Sequence, residues 1–449
     1  TITIAQMGQY SLINIFLLII SLIITFEIQS GFTRYYFEWS EQDRQKFEYS
    51  TINLIAIMSF LWGIILFLSR KNLYQLLLPI SDMLFIVVLV IPFTTTLSNL
   101  FLSKLRLESK AKEFSVVIIC QSLIYISVTF ALLNIIPNKL LAIFSGLLAQ
   151  QLFICGLYII KYGNNWRPYL HFGYIKRSLN FSIALVPAVF GAQLSSLSGK
   201  YILNMFWGNE PTGIYEAQVK VVSMVNLIVE PLYLATVPIT FRDYKKTDFR
   251  KTYLLLLSIN IVLLMLLVAF LSIFLKEIML LVVGSKYSSY LNLAIILVIV
   301  YFSIGAARLL IVNIHLSQKS QYVTICELFS GLLNVILTII LVRQYNLIGA
   351  GWAALISYCI RLVIYFIMAN KLFPRFKINI GIGFLIFITM ILMVICNYYL
   401  EGIPILARLL IYFVEAIALI LMFTHINHIS IRQLKELLVN SIKPVKNKV

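Results

Sequence analysis

The chain of 449 residues is 61% hydrophobic and 12% charged, with a mean hydropathy of +0.93 and a formal charge of +18. A soluble domain is nearer half apolar and a quarter charged, so this composition excludes a soluble globular protein. Cys120, Cys155, Cys326, Cys359 and Cys396 all lie inside apolar runs, which leaves no disulfide framework and no metal-ligand spacing.

Apolar runs of about twenty residues, the length that crosses the hydrocarbon core, recur along the whole chain. They predict helices over 9–28, 51–69, 76–101, 115–135, 139–160, 177–205, 212–241, 252–275, 287–314, 321–343, 347–371, 378–399 and 404–425. The fold expected is therefore an all-α polytopic membrane protein of thirteen spans. Its soluble parts are short loops and a basic tail, "ISIRQLKELLVNSIKPVKNKV", whose modest amphipathic pattern suits the membrane interface.

Charge sets the expected orientation. The connections after the odd-numbered spans and the tail hold twenty-five of the 36 basic residues, against six on the opposite side. Cytoplasmic loops are the ones enriched in Lys and Arg, so the C-terminus is expected in the cytoplasm and residue 1 on the outer face. The net charge reads as this topology signal plus attraction to anionic lipid, and not as a nucleic-acid surface. Five bases remain inside spans: Lys200, Lys220, Arg308, Arg361 and Arg408.

The chain also repeats itself. "MGQYSLIN" opens with Gly8-Gln9-Tyr10 and its segment closes on Arg34-Tyr35-Tyr36, while "TGIYEAQ" opens with Gly213-Ile214-Tyr215 and closes on Arg242-Asp243-Tyr244. Both copies run from the outer to the inner face, as parallel repeats do. The second copy is preceded by a helix, 177–205, and the first by "TITIAQM" alone. The expectation is one further N-terminal helix in a full-length protein of fourteen.

These segments, with "SGFTRYYFEWS", "SIALVPAVFGAQLSSLSGKYIL", "GNEPTGIYEAQVKV", "VVGSKYSSYLNLAIIL" and "NLIGAGWAALISY", resemble the polysaccharide-biosynthesis (Wzx-type) oligosaccharide flippases. That family belongs to the superfamily of the lipid II flippase and the multidrug and toxin extrusion exporters. One departure is Gly199-Lys200, where many relatives carry an Asp-Arg pair. The resemblance implies two six-helix bundles around a V-shaped cavity, with two more helices beside it. The bundles would fall in lobes 1–160 and 177–371, joined by a linker 161–176, before the extra helices of 372–425 and the tail 426–449. It implies alternating access, no cofactor and coupling to a proton or sodium gradient. The implied substrate is an undecaprenyl-diphosphate-linked oligosaccharide, moved to the outer leaflet of the bacterial cytoplasmic membrane for O-antigen, capsule or a related glycan. A polysaccharide polymerase and chain-length machinery are the implied partners.

Polar residues inside spans carry the chemistry such a task needs, because a charge at mid-membrane costs about 3 kcal/mol and faces a cavity or a partner. Gln193, Ser196, Lys200 and Asn204 form one helical stripe, and Glu216, Lys220, Ser223 and Glu230 a second. Together they read as a cavity wall offering cations to phosphate. Lys200 could instead snorkel to the headgroups, and Lys220 could pair with Glu216. Arg361, the deepest base, either lines the cavity or pairs with Glu327. Arg308 and Arg408 read as snorkelling. Glu230, before Pro231, is the candidate protonatable coupling group, with Asp82 and Glu415 behind it. Arg34 sits at the cytoplasmic mouth, as a phosphate contact or a positive-inside anchor.

Two other classes compete. An enzyme is disfavoured, since His171, His315, His425 and His428 are scattered and no His-Glu-x-x-His or paired-carboxylate motif occurs. An exporter of cationic drugs would want carboxylates where this chain has bases. A lipid II flippase shares the cationic logic and stays open.

Overall fold

The computed structural model describes residues 3–70, 81–108, 110–162, 169–243, 249–317, 319, 321–372, 380–400 and 402–427. Among them the regular structure is helical throughout, without strands. The interfacial tail and the basic residues Arg167, Lys245, Lys246, Arg375 and Lys377 lie outside the described residues.

The helices are α1 (Ile4–Thr25), α2 (Ile28–Tyr35), α3 (Glu41–Leu68), α4 (Asp82–Leu107), α5 (Ala111–Ile135), α6 (Lys139–Tyr162) and α7 (Phe172–Trp207). Then follow α8 (Asn209–Val222), α9 (Asn226–Asp243), α10 (Phe249–Ile273), α11 (Leu275–Val282), α12 (Leu291–Leu316), α13 (Gln321–Leu372), α14 (Ile380–Tyr399) and α15 (Ile405–Asn427). Over the described residues all thirteen expected spans fall on these helices, residues 76–80 and 378–379 of two of them lying outside the described residues. Two differ in form: the seventh is broken into α8 and α9 by a 3-10 turn at Ser223–Val225, and the tenth and eleventh are joined as α13, bent at Asn346. Among the described residues, ten helices are long and apolar enough to cross a membrane.

Local sequence explains the starts. Thr3 and Gln6 form a reciprocal capping box at α1. Ser40 and Ser81 cap α3 and α4 by accepting from the amides of Asp43 and Leu84. From α1 the chain turns into α2 through Phe26 and Glu27, both left-handed (φ 44° and 56°). The bend in α13 uses Asn346 at φ 52°, ψ −130°, and Asn tolerates positive φ better than most residues.

The chain divides into two compact units, 1–193 with 200–213, and 194–199 with 214–449. Most of α7 therefore belongs to the first unit, whereas the sequence reading grouped 177–371 together. Helices α14 and α15 pack on α10 and belong to the second unit. In the first unit, Ile13, Phe16, Phe85, Val88, Leu141 and Phe144 join α1, α4 and α6 in one core. Helix α5 presents Ile119, Leu123, Ile126 and Phe130 outward at helical spacing, as a lipid-facing helix must.

Two close approaches fix helix positions in the first unit. A Cβ on Gly8 would lie 2.1 Å from the Asn209 carbonyl oxygen, and one on Gly213 would lie 2.0 Å from that of Ile4. Each glycine thus packs on the residue four before the other. Gly31 of α2 meets α7, its amide donating to Ser182 Oγ at 3.0 Å.

The internal repeat extends further than the sequence showed. Ser98 Oγ lies 3.6 Å from Cys155 Sγ in the first unit, and Ser303 Oγ 3.7 Å from Cys359 Sγ in the second. The serines are 205 positions apart, as are Gly8 and Gly213, and the cysteines 204.

Candidate functional site

The polar side chains inside the second unit form a connected set along α13. Glu327, Ser330, Asn334 and Thr338 lie on one face of its first limb, and Ser357, Arg361 and Tyr365 on one face of its second. Arg361 Nη1 donates to Glu327 Oε2 at 2.9 Å and the Tyr365 hydroxyl donates to Oε1 at 2.6 Å. The guanidinium also lies 4.3 Å from the Tyr358 ring centroid. Arg361 is 7% exposed and Glu327 8%, so the pair is withdrawn from its surroundings. Of the two sequence readings for Arg361, the paired one is what the structure has.

Asn334 continues the set. Its Nδ2 donates to Ser357 Oγ at 2.6 Å, and its Oδ1 accepts from Ser198 and Thr338 at 2.5 and 3.2 Å. Ser195 of α7 meets Ser330 at 3.3 Å. Helix α7 therefore has two polar faces. Ser195 and Ser198 turn toward α13, while Gln193, Ser196, Lys200 and Asn204 fall on the roughly opposite side at about 100° per residue. On that second side Ser196 is exposed and Gln193, Lys200 and Asn204 are half-buried. In α8, Glu216 is buried and Lys220 half-buried.

Arg308 and Arg408 are placed differently from their sequence readings. Glu230 accepts from Arg308 at 2.9 Å, with the Tyr233 ring 4.7 Å from the guanidinium. Arg308 is thus engaged by an acid of α9 rather than extended alone to the headgroups. Both side chains remain open, 43% and 47% exposed. Arg408 is buried, bonding the Ile273 carbonyl at 3.1 Å and both carboxylate oxygens of Glu277, which corrects the snorkelling reading. Arg34 is exposed and pairs with Glu38 at 3.1 Å, and Glu38 also accepts from Arg177. Asp82 is exposed at the first turn of α4. Glu415 accepts from Asn397 at 3.3 Å.

A second buried charge cluster was missed. Lys104, counted in a basic connection, is 6% exposed on α4 and donates to both oxygens of Glu48, at 2.9 and 2.8 Å. Glu48, 3% exposed, also accepts from the Tyr158 hydroxyl of α6. The Lys104 ammonium stands 3.6 Å from the Tyr162 ring centroid. Just outside, Glu108 accepts from Tyr36 at 2.9 Å and from Lys110. Burial pushes the Glu108 carboxyl up, but the bonds from Lys110 and Tyr36 together with the Lys104 and Lys110 charges outweigh it and hold it below its ordinary value. The signal was present in the sequence: Glu48 and Ile52 are one helical turn apart, but the span was started at residue 51, beyond the acid.

Among the described residues, each unit thus has a buried carboxylate bonded to a base and a tyrosine. Among the described residues no group of three or more His, Cys, Asp or Glu is placed to hold a metal ion.

Compared by sequence with protein families, residues 2–292 match the family described as polysaccharide biosynthesis protein. The chain belongs to that family. Its fold is similar to that of the lipid II flippase MurJ in an inward closed conformation, over 94% of this chain and 96% of the other, with a TM-score of 0.67 and 16% identity. An inward-facing multidrug resistance MATE family transporter of the MOP superfamily is also similar, over 84% of this chain and 95% of the other (TM-score 0.62, 13% identity). So is a MOP superfamily transporter from Pyrococcus furiosus Vc1, over 83% and 89% (TM-score 0.54, 15% identity). Compared with curated proteins by sequence, the chain matches none. This polysaccharide-biosynthesis family member therefore has the multi-pass fold shared by flippases and multidrug transporters, as its motifs led one to expect.

Proposed function

We propose that the protein is a flippase that carries undecaprenyl-diphosphate-linked oligosaccharides from the inner to the outer leaflet of a bacterial cytoplasmic membrane. The glycan would serve O-antigen, capsule or a related surface polymer, in company with a polymerase and chain-length machinery. The observation that carries this reading is the polysaccharide-biosynthesis family match joined to a fold like that of a lipid II flippase. Alternating access coupled to a proton or sodium gradient is the mechanism proposed, with the C-terminus in the cytoplasm.

The charge arrangement supports the reading. Glu48, Glu230 and Glu327 are bonded to Lys104, Arg308 and Arg361 of their own units. A cationic drug would have to displace a base from each of these acids. Lys200 and Lys220 are the proposed cation suppliers for the diphosphate, with Gln193 and Glu216 as hydrogen-bonding neighbours in the path. Glu230 remains the coupling candidate in a modified form. Its proton would compete with Arg308 for the carboxylate, both side chains of that pair being about half exposed. Helix α9, which holds Glu230 and Pro231, follows the 3-10 break at Ser223–Val225, a place where a helix bends readily.

The test is deletion in the native host followed by mass spectrometry of polyprenyl-linked lipids. Accumulation of one completed oligosaccharide diphospholipid is the expected outcome, reversed by the wild-type gene and less than a tenth as well by Lys220→Glu. Accumulation of lipid II alone would move the protein to that substrate. Sensitivity to cationic drugs without any lipid accumulation would overturn the flippase reading.

A further inference from the structure

Two cavities adjoin in the first unit, at the end of α3 and α6 that carries the basic connections. One, of about 150 Å³, is half polar, with Glu41, Arg44, Gln45 and Lys104 in its wall beside tyrosines. The other, of about 340 Å³, is nearly all apolar: Ile52, Ala56, Leu97, Cys155 and Ile159 line it. Tyr49 and Tyr162 belong to both walls, so the two volumes are neighbours.

The order of residues along the helices gives the combined cavity its direction. On α3, Glu41, Arg44, Gln45 and Glu48 share one face, and the same face continues deeper as Ile52 and Ala56. On α6, Tyr162 lies at the polar end and Ile159 and Cys155 further in. The α3 wall therefore changes from charged to apolar, and the α6 wall from tyrosine to aliphatic and thiol side chains, along the helix axes. That profile fits an amphiphile lying in one leaflet, with its head at the surface and its chain inward.

The charges decide which head. Lys104 is matched by Glu48, and Glu108 by Lys110 and Tyr36. Arg44 uses Nε on the Tyr36 carbonyl at 3.0 Å and Nη2 on the Trp39 carbonyl at 3.4 Å, and its plane stacks near Tyr36 and Phe37. Its Nη1 makes no bond among the described residues and is left for an anion. Glu41, one turn away and exposed, offers a carboxylate to a cation. The cavity thus presents one positive and one negative group at helical spacing. A ligand with phosphate alone gains from Arg44 and is repelled by Glu41. One with phosphate and ammonium satisfies both. The polar volume, about five waters at roughly 30 Å³ each, suits a group of phosphoethanolamine size.

We propose that this double cavity is a binding site for one inner-leaflet phospholipid with a zwitterionic, amine-bearing headgroup, its phosphate on Arg44 and its ammonium on Glu41. The inference rests on the membrane-spanning fold and the basic-side orientation. It does not depend on the flippase reading, and its test measures no transport.

The full chain, purified in detergent, is titrated with phosphatidylethanolamine and phosphatidylglycerol of matched acyl chains, and bound lipid is counted by native mass spectrometry. One phosphatidylethanolamine is expected to bind about tenfold more tightly than phosphatidylglycerol, the difference made by one charge contact. Glu41→Gln, at an exposed first-turn position, removes that preference and leaves phosphatidylglycerol binding at or above its original level. Ala56→Phe fills the apolar part and weakens both lipids together. If that variant does not fold, Glu41→Gln decides alone. Equal binding of the two lipids by the wild type, or a preference that survives Glu41→Gln, overturns the proposal. So does displacement of the bound lipid by equimolar undecaprenyl diphosphate, which would give the cavity to a polyprenyl substrate.

Discussion

At the scale of single residues, the membrane makes every buried charge answerable to a neighbour. Removing one member of a buried pair leaves the other uncompensated, at a cost of about 3–5 kcal/mol. Glu327→Ala is therefore expected to lower the thermal midpoint of the purified protein sharply in a tryptophan-fluorescence scan. Adding Arg361→Leu should restore much of it, because the stranded guanidinium is gone. An additive loss in the double variant would show that the pair contributes nothing as a pair. Arg361's partner could be named from sequence, since Glu327 was the acid on the preceding span. The Lys104–Glu48 pair was harder to see: the turn from Glu48 to Ile52 hints at an earlier helix start, but both charges lie outside the expected runs 51–69 and 76–101, where exposed charge is ordinary. Only the tertiary approach of α3, α4 and α6 turns them inward.

At the scale of helices, the number of spans was legible because each needs a long apolar run and nothing else in the sequence imitates one. The starts were less so. Helix α3 begins at Glu41, ten residues before the apolar run, because Ser40 caps a polar first turn that hydropathy does not register. The bends were also hidden, since Asn346 looks like any loop residue until its φ is known. Helix crossings depend on single glycines. A methyl on Gly213 must displace the Ile4 carbonyl of α1, whereas one on Gly63 meets nothing within 4 Å. Gly213→Ala is expected to destabilise the protein and Gly63→Ala to stabilise it by about 1 kcal/mol through helix propensity. Parallel thermal scans of the two variants check this contrast. Equal shifts would mean that the α1–α8 approach is loose.

At the scale of the whole molecule, helix α15 is tied to α11 by Arg408 and Glu277, residues 131 positions apart. Burial pushes the Glu277 carboxyl up, but the Arg408 bonds and charge outweigh it and hold it below its ordinary 4.5. An acid with a depressed folded-state value contributes stability that is complete above the ordinary value and lost as pH falls through the depressed one. Thermal midpoints measured from neutral pH downward should therefore drop below about pH 4.5, and less steeply in Arg408→Ala. An identical acid profile in that variant would remove the tie from the account. The family and its general fold were readable from motif order across the chain, but apart from Glu327 and Arg361, which acid meets which base was not. The Ser98–Cys155 and Ser303–Cys359 contacts, at nearly constant offset, speak of ancestry. If one helical piece was once copied end to end, its uncharged joints have stayed in register in both descendants. The acid, base and tyrosine have not: one copy draws them from α3, α4 and α6, the other from the two limbs of α13. Inheritance kept the scaffold, and divergence rewrote the charges placed on it.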